Sequence, residues 1–254
     1  MDALTITQHG VYGSTALSDN QFRLFRLQHL PDDSLNQPAA AVDAPRIRCE
    51  LATFQMAEAP KVDYTAVSYR WGTEVELSPV NINGQIFMVR NNLHSLLQQL
   101  ASESSSDWFF VDAICIDQNN ASEKASQVKL MGAIYKNAAR VLVWVRPEPD
   151  EEPVDDDDEA AILRAVSRNR FWTRLWIVQE VILARRLVVR FGSHEVKWWN
   201  ILNQNTGMLH VDRKNLPLRP PVENVCFPPF YTTLLTMRSS STASPATREW
   251  ATAK

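Results

Sequence analysis

Apolar and polar positions divide the chain into short segments of different period. FRLFRL at 22–27 alternates apolar and basic residues, which predicts an exposed or edge strand. IRCELATFQM at 47–56 predicts a second strand that returns against it as an N-terminal hairpin. In DYTAVSYRWG at 63–72, Tyr64, Ala66, Val67 and Tyr69 carry strand character, and Gly72 allows a sharp turn. NINGQIFMV at 81–89 sets an Asn-Gly pair between apolar flanks, a hairpin signal. Asn91 or Asn92 then caps a predicted helix whose Leu93, Leu96, Leu97 and Leu100 make one buried stripe.

DWFFVDAICID at 107–117 is a dense apolar run between polar ends, and it predicts a central strand buried on both faces. Asn120 with Glu123 forms a capping box for a helix with Val128, Met131, Ile134 or Tyr135, and Ala138 on its buried side. VLVWV at 141–145 predicts the next strand, so strand, helix and strand suggest a parallel crossover. Further on, the pattern predicts a helix at 171–184 and a strand at 187–191.

Between these elements, PEPDEEPVDDDDEA at 147–160 has nine acidic residues in fourteen. It lacks the ordered spacing and central glycine of a calcium loop, so a solvated insertion is expected. Expected boundaries are a flexible N-terminus at 1–21, a domain at 22–195, an irregular extension at 196–238 and a disordered tail at 239–254. The chain has 254 residues and a formal net charge of -3. Without a basic tract, nucleic-acid binding is not expected. No apolar run reaches membrane-spanning length and MDALTITQHG lacks a secretory pattern, so a cytoplasmic protein is expected. Cys49, Cys115 and Cys226 have no zinc spacing and fit a reducing compartment. Cys115, inside the apolar run, reads as a core thiol.

Glu180 is the foremost candidate for chemistry. Trp172, Trp176 and Glu180 fall at i, i+4 and i+8, along one side of the predicted helix. A carboxylate beside aromatic walls can bind a ribose hydroxyl or stabilise an oxocarbenium ion. The alternative is a cap or a buried ion pair with Arg174 or Arg70. Asp112 and Asp117 fall toward the carboxyl side of the central run, where open α/β sheets hold ligands, or else they end the strand and cap the next helix. Five is odd, so the two need not share a face. Tyr69, Arg70 and Trp71 end the earlier strand and are positioned to line the same cleft, with Arg70 suited to phosphate or carboxylate. Neither GxGxxG nor GxxxxGK[ST] occurs, which removes support for the ordinary dinucleotide and P-loop readings.

YTAVSYRWG at 64–72, NGQIFMVRNNLHSLLQQL at 83–100, the block at 108–145 and FWTRLWIVQEVILARRLVVRFG at 171–192 together resemble the fungal heterokaryon incompatibility (HET) domain. The resemblance covers residues 22–195 and implies a role in non-self recognition and regulated cell death. HET domains are distantly similar to Toll/interleukin-receptor (TIR) domains. That implies an α/β fold with a mainly parallel central sheet flanked by helices in a TIR-like, flavodoxin-like three-layer arrangement, plus an N-terminal strand or hairpin. FWTRLWIVQEV resembles the TIR helix that carries the catalytic glutamate of NAD-cleaving members, which implies Glu180 as catalytic carboxylate with Trp176 nearby. Two readings follow. One is a non-catalytic signalling module acting through a protein partner or self-association, with no cofactor required. The other is an NAD or related nucleotide glycohydrolase, with Tyr69, Arg70, Trp71, Asp112, Asp117 and Trp176 around the substrate. The chain departs from the family at Arg146 and Pro147, where members often have glycine.

Overall fold

The computed structural model describes residues 9–13, 17–28, 45–72, 76–103, 107–147, 154–155, 157–174 and 176–201. The expected disordered tail and nearly all of the expected extension lie outside these residues. The chain forms two compact units, Met1–Trp144 with Trp176–Leu187, and Val145–Leu175 with Val188–Lys254.

The first unit holds a short helix α1 (His9–Tyr12), strands β1 (Gln21–Leu27), β2 (Arg48–Gln55), β3 (Tyr64–Tyr69), β4 (Leu77–Ile82) and β5 (Gln85–Arg90), and helix α2 (Asn91–Ser102). Strand β6 (Trp108–Phe110), helices α3 (Asp112–Cys115) and α4 (Ala121–Asn137), and strand β7 (Arg140–Val145) follow. The strands lie side by side as β5-β4-β2-β1-β6-β3-β7. β3 is parallel to β6 and β7, and β2 to β4. β1 runs antiparallel to β2 and β6, as do β4 and β5 to each other. The sheet is thus mixed rather than mainly parallel. The crossover β6-α4-β7 forms as expected, with β3 inserted between its strands.

All six residues of β3 are buried, because helices cover both faces of the sheet there. Ser68 and Tyr69 face opposite sides of the sheet. Helix α6 (Ile177–Ile182) meets the Ser68 side through Glu180. Helix α2 meets the other side, where Trp144, in register with Tyr69, donates its indole N–H to Asn92 Oδ1 at 3.3 Å. Tyr64 donates to the Ile134 carbonyl at 2.5 Å and Tyr135 to the Val67 carbonyl at 2.9 Å, fixing α4 to β3. The Asn83-Gly84 turn joins β4 to β5 with positive φ at both residues, 52° and 83°. The α2 leucines are buried as expected.

Several expectations require correction. β1 is an interior strand, not an edge. Its arginines face opposite sides, where Arg23 is buried against Glu123 and Arg26 reaches exposed Glu50. The apolar run from 107 is strand only over 108–110. The Val111 carbonyl accepts from Cys115 N–H at 2.8 Å, so the chain coils into α3, and an apolar run alone does not separate strand from helix. Arg90, not Asn91 or Asn92, precedes α2, without a side-chain cap. Val128 is exposed, at 36%.

The second unit contains helix α5 (Glu159–Arg168), a 3-10 turn at Arg170–Thr173, and the hairpin of β8 (Leu187–Phe191) with β9 (His194–Val196). Asp158, at the end of the acidic stretch, caps α5 by accepting from Ala161 N–H at 2.9 Å. The predicted helix at 171–184 is two elements. Asn169 caps the 3-10 turn, Arg174 is extended, and the phase is lost before α6. Trp172 therefore does not continue a ladder to Glu180. Its indole N–H donates to the Val166 carbonyl at 2.6 Å, and its ring meets Phe171 at 5.0 Å and Trp198 at 5.4 Å. Among the described residues, no helix is long and apolar enough to cross a membrane.

Candidate functional site

The carboxyl ends of parallel β3 and β6 bring together two of the predicted regions. After buried Tyr69, the chain leaves the sheet through Arg70, Trp71 and Gly72, whose φ of 78° needs the left-handed region. Three neighbours fix this turn. Asn92 Nδ2 donates to the Arg70 carbonyl, Arg90 Nη1 donates to the Gly72 carbonyl at 2.5 Å, and Trp71 Nε1 donates to Asp112 Oδ1 at 3.1 Å. The Arg90 guanidinium also lies 5.9 Å from the centre of the Trp71 ring. Asp112 opens α3 with a carboxylate at a helix start, and its carbonyl accepts from Gln118 Nε2 at 2.8 Å. Arg70 and Trp71 are half-buried, and Asp112 is buried.

Asp117 belongs to a different cluster. Its Oδ1 accepts from Asn119 N–H at 3.0 Å, and its own N–H donates to Glu123 Oε1 at 2.8 Å. Asn120 caps α4 as predicted, accepting from Glu123 N–H at 3.1 Å. The Glu123 carboxylate instead joins Arg23, whose Nη1 lies 2.6 Å from Oε1 and Nη2 3.2 Å from Oε2. Burial pushes the Glu123 carboxyl up, but Arg23 and the N–H groups of Asp117 and Leu17 outweigh it, so its pKa ends below the ordinary 4.5. Arg23 and Glu123 went unrecognised as partners because no local pattern links positions 100 residues apart.

Glu180 lies on α6. It is 1% exposed, and Ser68 Oγ donates to its Oε2 in a buried hydrogen bond. Ser68 precedes Tyr69 on β3, so this contact lies on the other face of the strand from Tyr69. Trp176 is half-buried at the start of α6. The structure therefore joins Trp71 to Asp112, joins Asp117 to the Arg23–Glu123 pair, and joins Glu180 to Ser68. An enclosed carboxylate bonded to a hydroxyl holds α6 on β3. To attack or stabilise a sugar carbon, it would first have to be uncovered.

At the opposite, amino ends of β3, β6 and β7 lies a hollow of about 240 Å³, lined by Asp63, Thr65, Asp107, Arg140 and Arg186 among others. Arg140 there donates to Thr65 Oγ1 at 2.8 Å and to Asp107 Oδ2 at 3.3 Å. Cys49 and Cys115 are buried free thiols pushed up to about 12 by burial, which leaves them without thiolate character near neutrality. No group of three or more His, Cys, Asp or Glu among the described residues could hold a metal ion.

These features define a mixed α/β domain with a polar turn pinned at the carboxyl ends of its parallel strands. Residues 64–161 match the family described as Heterokaryon incompatibility protein (HET). Heterokaryon incompatibility protein 6, OR allele, of Neurospora crassa is 28% identical over 155 residues, covering 55% of this chain and 21% of that protein. Vegetative incompatibility protein HET-E-1 of Podospora anserina is 25% identical over 158 residues, covering 61% of this chain and 11% of that protein. The chain thus spans a small part of the length of these relatives. No solved structure matches significantly. Over residues 64–161 the chain is thus similar to the HET family.

Proposed function

We propose that this chain is a non-catalytic signalling or interaction module of fungal non-self recognition, acting in regulated cell death through a protein partner or self-association. The incompatibility proteins it is similar to support the setting. The observation that carries the non-catalytic part is Glu180, 1% exposed and hydrogen-bonded to Ser68. A carboxylate so enclosed serves the packing of α6 on β3. The test is expression of the chain and of Glu180→Gln in a filamentous fungus, with cell death, intracellular NAD and protein level measured together. Death that persists in the variant, with NAD unchanged, is the expected result. NAD depletion by the chain that disappears, together with death, in a folded and equally abundant variant counts against the non-catalytic module.

The second reading is an assembly-activated glycohydrolase of NAD or a related nucleotide, with Glu180 as catalytic carboxylate. The observation favouring it is the Trp71–Asp112 pair beside Tyr69 and Arg70, at the strand ends where α/β sheets hold ligands. This reading requires α6 to shift so that Glu180 meets substrate, with Asp117 and Trp176 also brought to it.

A further inference from the structure

We propose that Tyr12 and Leu17 act as a strap that restrains the Asp112–Asn120 segment, which carries both candidate aspartates. The segment begins with the one-turn helix α3, whose last carbonyl groups have no partner within so short a helix. Donors from outside supply what the helix lacks. The Tyr12 hydroxyl donates to the Ile114 carbonyl at 3.0 Å and to the Ile116 carbonyl at 3.3 Å. Arg23 Nη1 donates to the Cys115 carbonyl at 3.2 Å. Tyr12 is held between two groups, the Arg23 guanidinium 4.7 Å from its ring centre and the Phe87 ring edge-on at 6.1 Å. Burial raises the Tyr12 hydroxyl far above its ordinary value, so it stays a donor across the physiological range.

The second anchor is Leu17. Its N–H donates to Glu123 Oε2 at 3.3 Å, the same carboxylate that receives Arg23 and the Asp117 N–H. Strap and segment thus share one buried carboxylate. Among the described residues, the strap reaches the segment through hydrogen bonds from Tyr12 and Leu17, with Val11 buried beside them, whereas β3 and β7 are held by a full ladder. Local opening is expected where few buried contacts hold a segment. Drawing Tyr12 and Leu17 away removes a donor from two carbonyls and one from Glu123, and it uncovers Phe87, while the β3 ladder keeps its own bonds. The strap is therefore a conformational device within the fold, independent of what chemistry the domain performs.

Amide hydrogen exchange followed by mass spectrometry on the full chain tests this, using Tyr12→Phe and a variant lacking residues 1–18. Tyr12→Phe keeps the ring and deletes only the hydroxyl. Exchange over 112–120 is expected to accelerate about tenfold in Tyr12→Phe and further in the truncated chain, with 64–69 and 140–145 unchanged. Unchanged exchange over 112–120 in Tyr12→Phe overturns the proposal. So does acceleration spread equally over all strands in that variant, which would mark general destabilisation.

Discussion

Glu123 and Glu180 are both buried carboxylates, at 2% and 1% exposure, and they sit in unlike surroundings. Glu123 faces a guanidinium and two backbone N–H groups, so its charge is balanced where it lies. Glu180 receives a hydroxyl from the neighbouring strand. One bonds to Arg23, 100 positions away, and the other to Ser68, 112 positions away. Each therefore fastens a late helix to an early strand. The comparison teaches that a buried carboxylate marks a crossing of the chain before it marks a reaction. Glu180 drew notice because tryptophans flank it in sequence, while Glu123 looked like an ordinary cap.

The largest expected effect comes from stripping Glu123 of its cation. Arg23→Ala should cost about 3–5 kcal/mol in urea denaturation, since it strands a buried charge. The double variant Arg23→Met with Glu123→Leu should recover part of that loss, because no buried charge remains although the Asp117 and Leu17 N–H groups and the Cys115 carbonyl lose a partner. If the double variant is as weak as Arg23→Ala, packing rather than charge pairing explains the site. Next in size, Ser68→Ala should cost about 1–3 kcal/mol by removing a buried hydrogen bond to Glu180. A cost near zero would show that Glu180 does not depend on β3.

Acid unfolding separates the two sites further. The folded pKa of Glu123 is depressed, so its contribution is present above its unfolded value and is lost as pH falls through the lower, folded one. Stability should therefore decline below about pH 4.5, near its ordinary value, and the Arg23→Met, Glu123→Leu chain should show a shallower decline. Equal slopes would contradict the assignment. The smallest effect is expected at the exposed pair of Arg26 and Glu50, whose side chains are 44% and 36% exposed. Glu50→Gln should change stability by about 1 kcal/mol or less, and added salt should shrink even that.

The sequence revealed those parts of the fold whose cause is local. The Asn83-Gly84 turn, the leucine stripe of α2, the Asn120 cap and the apolar strands β3 and β7 each follow from a few adjacent residues. What escaped depends on distant partners. FRLFRL reads as an edge only while Arg23 is assumed to face water, and Glu123 overturns that assumption from α4. The tryptophan ladder required one unbroken helix, and the extended Arg174 ended it. Of the candidate site, the meeting of Trp71 with Asp112 was legible as two strand ends near one crevice. The bonds of Asp117 to Glu123 and of Ser68 to Glu180 were not, since each joins positions that no local pattern connects.

The measurement closest to the central claim is release of free nicotinamide from NAD by the purified chain, dilute and at concentrations that drive assembly, beside Glu180→Gln shown to be folded. A non-catalytic module with an enclosed Glu180 predicts no release above the variant under either condition. Turnover that appears on assembly and vanishes in folded Glu180→Gln would contradict it and make Glu180 a catalytic residue.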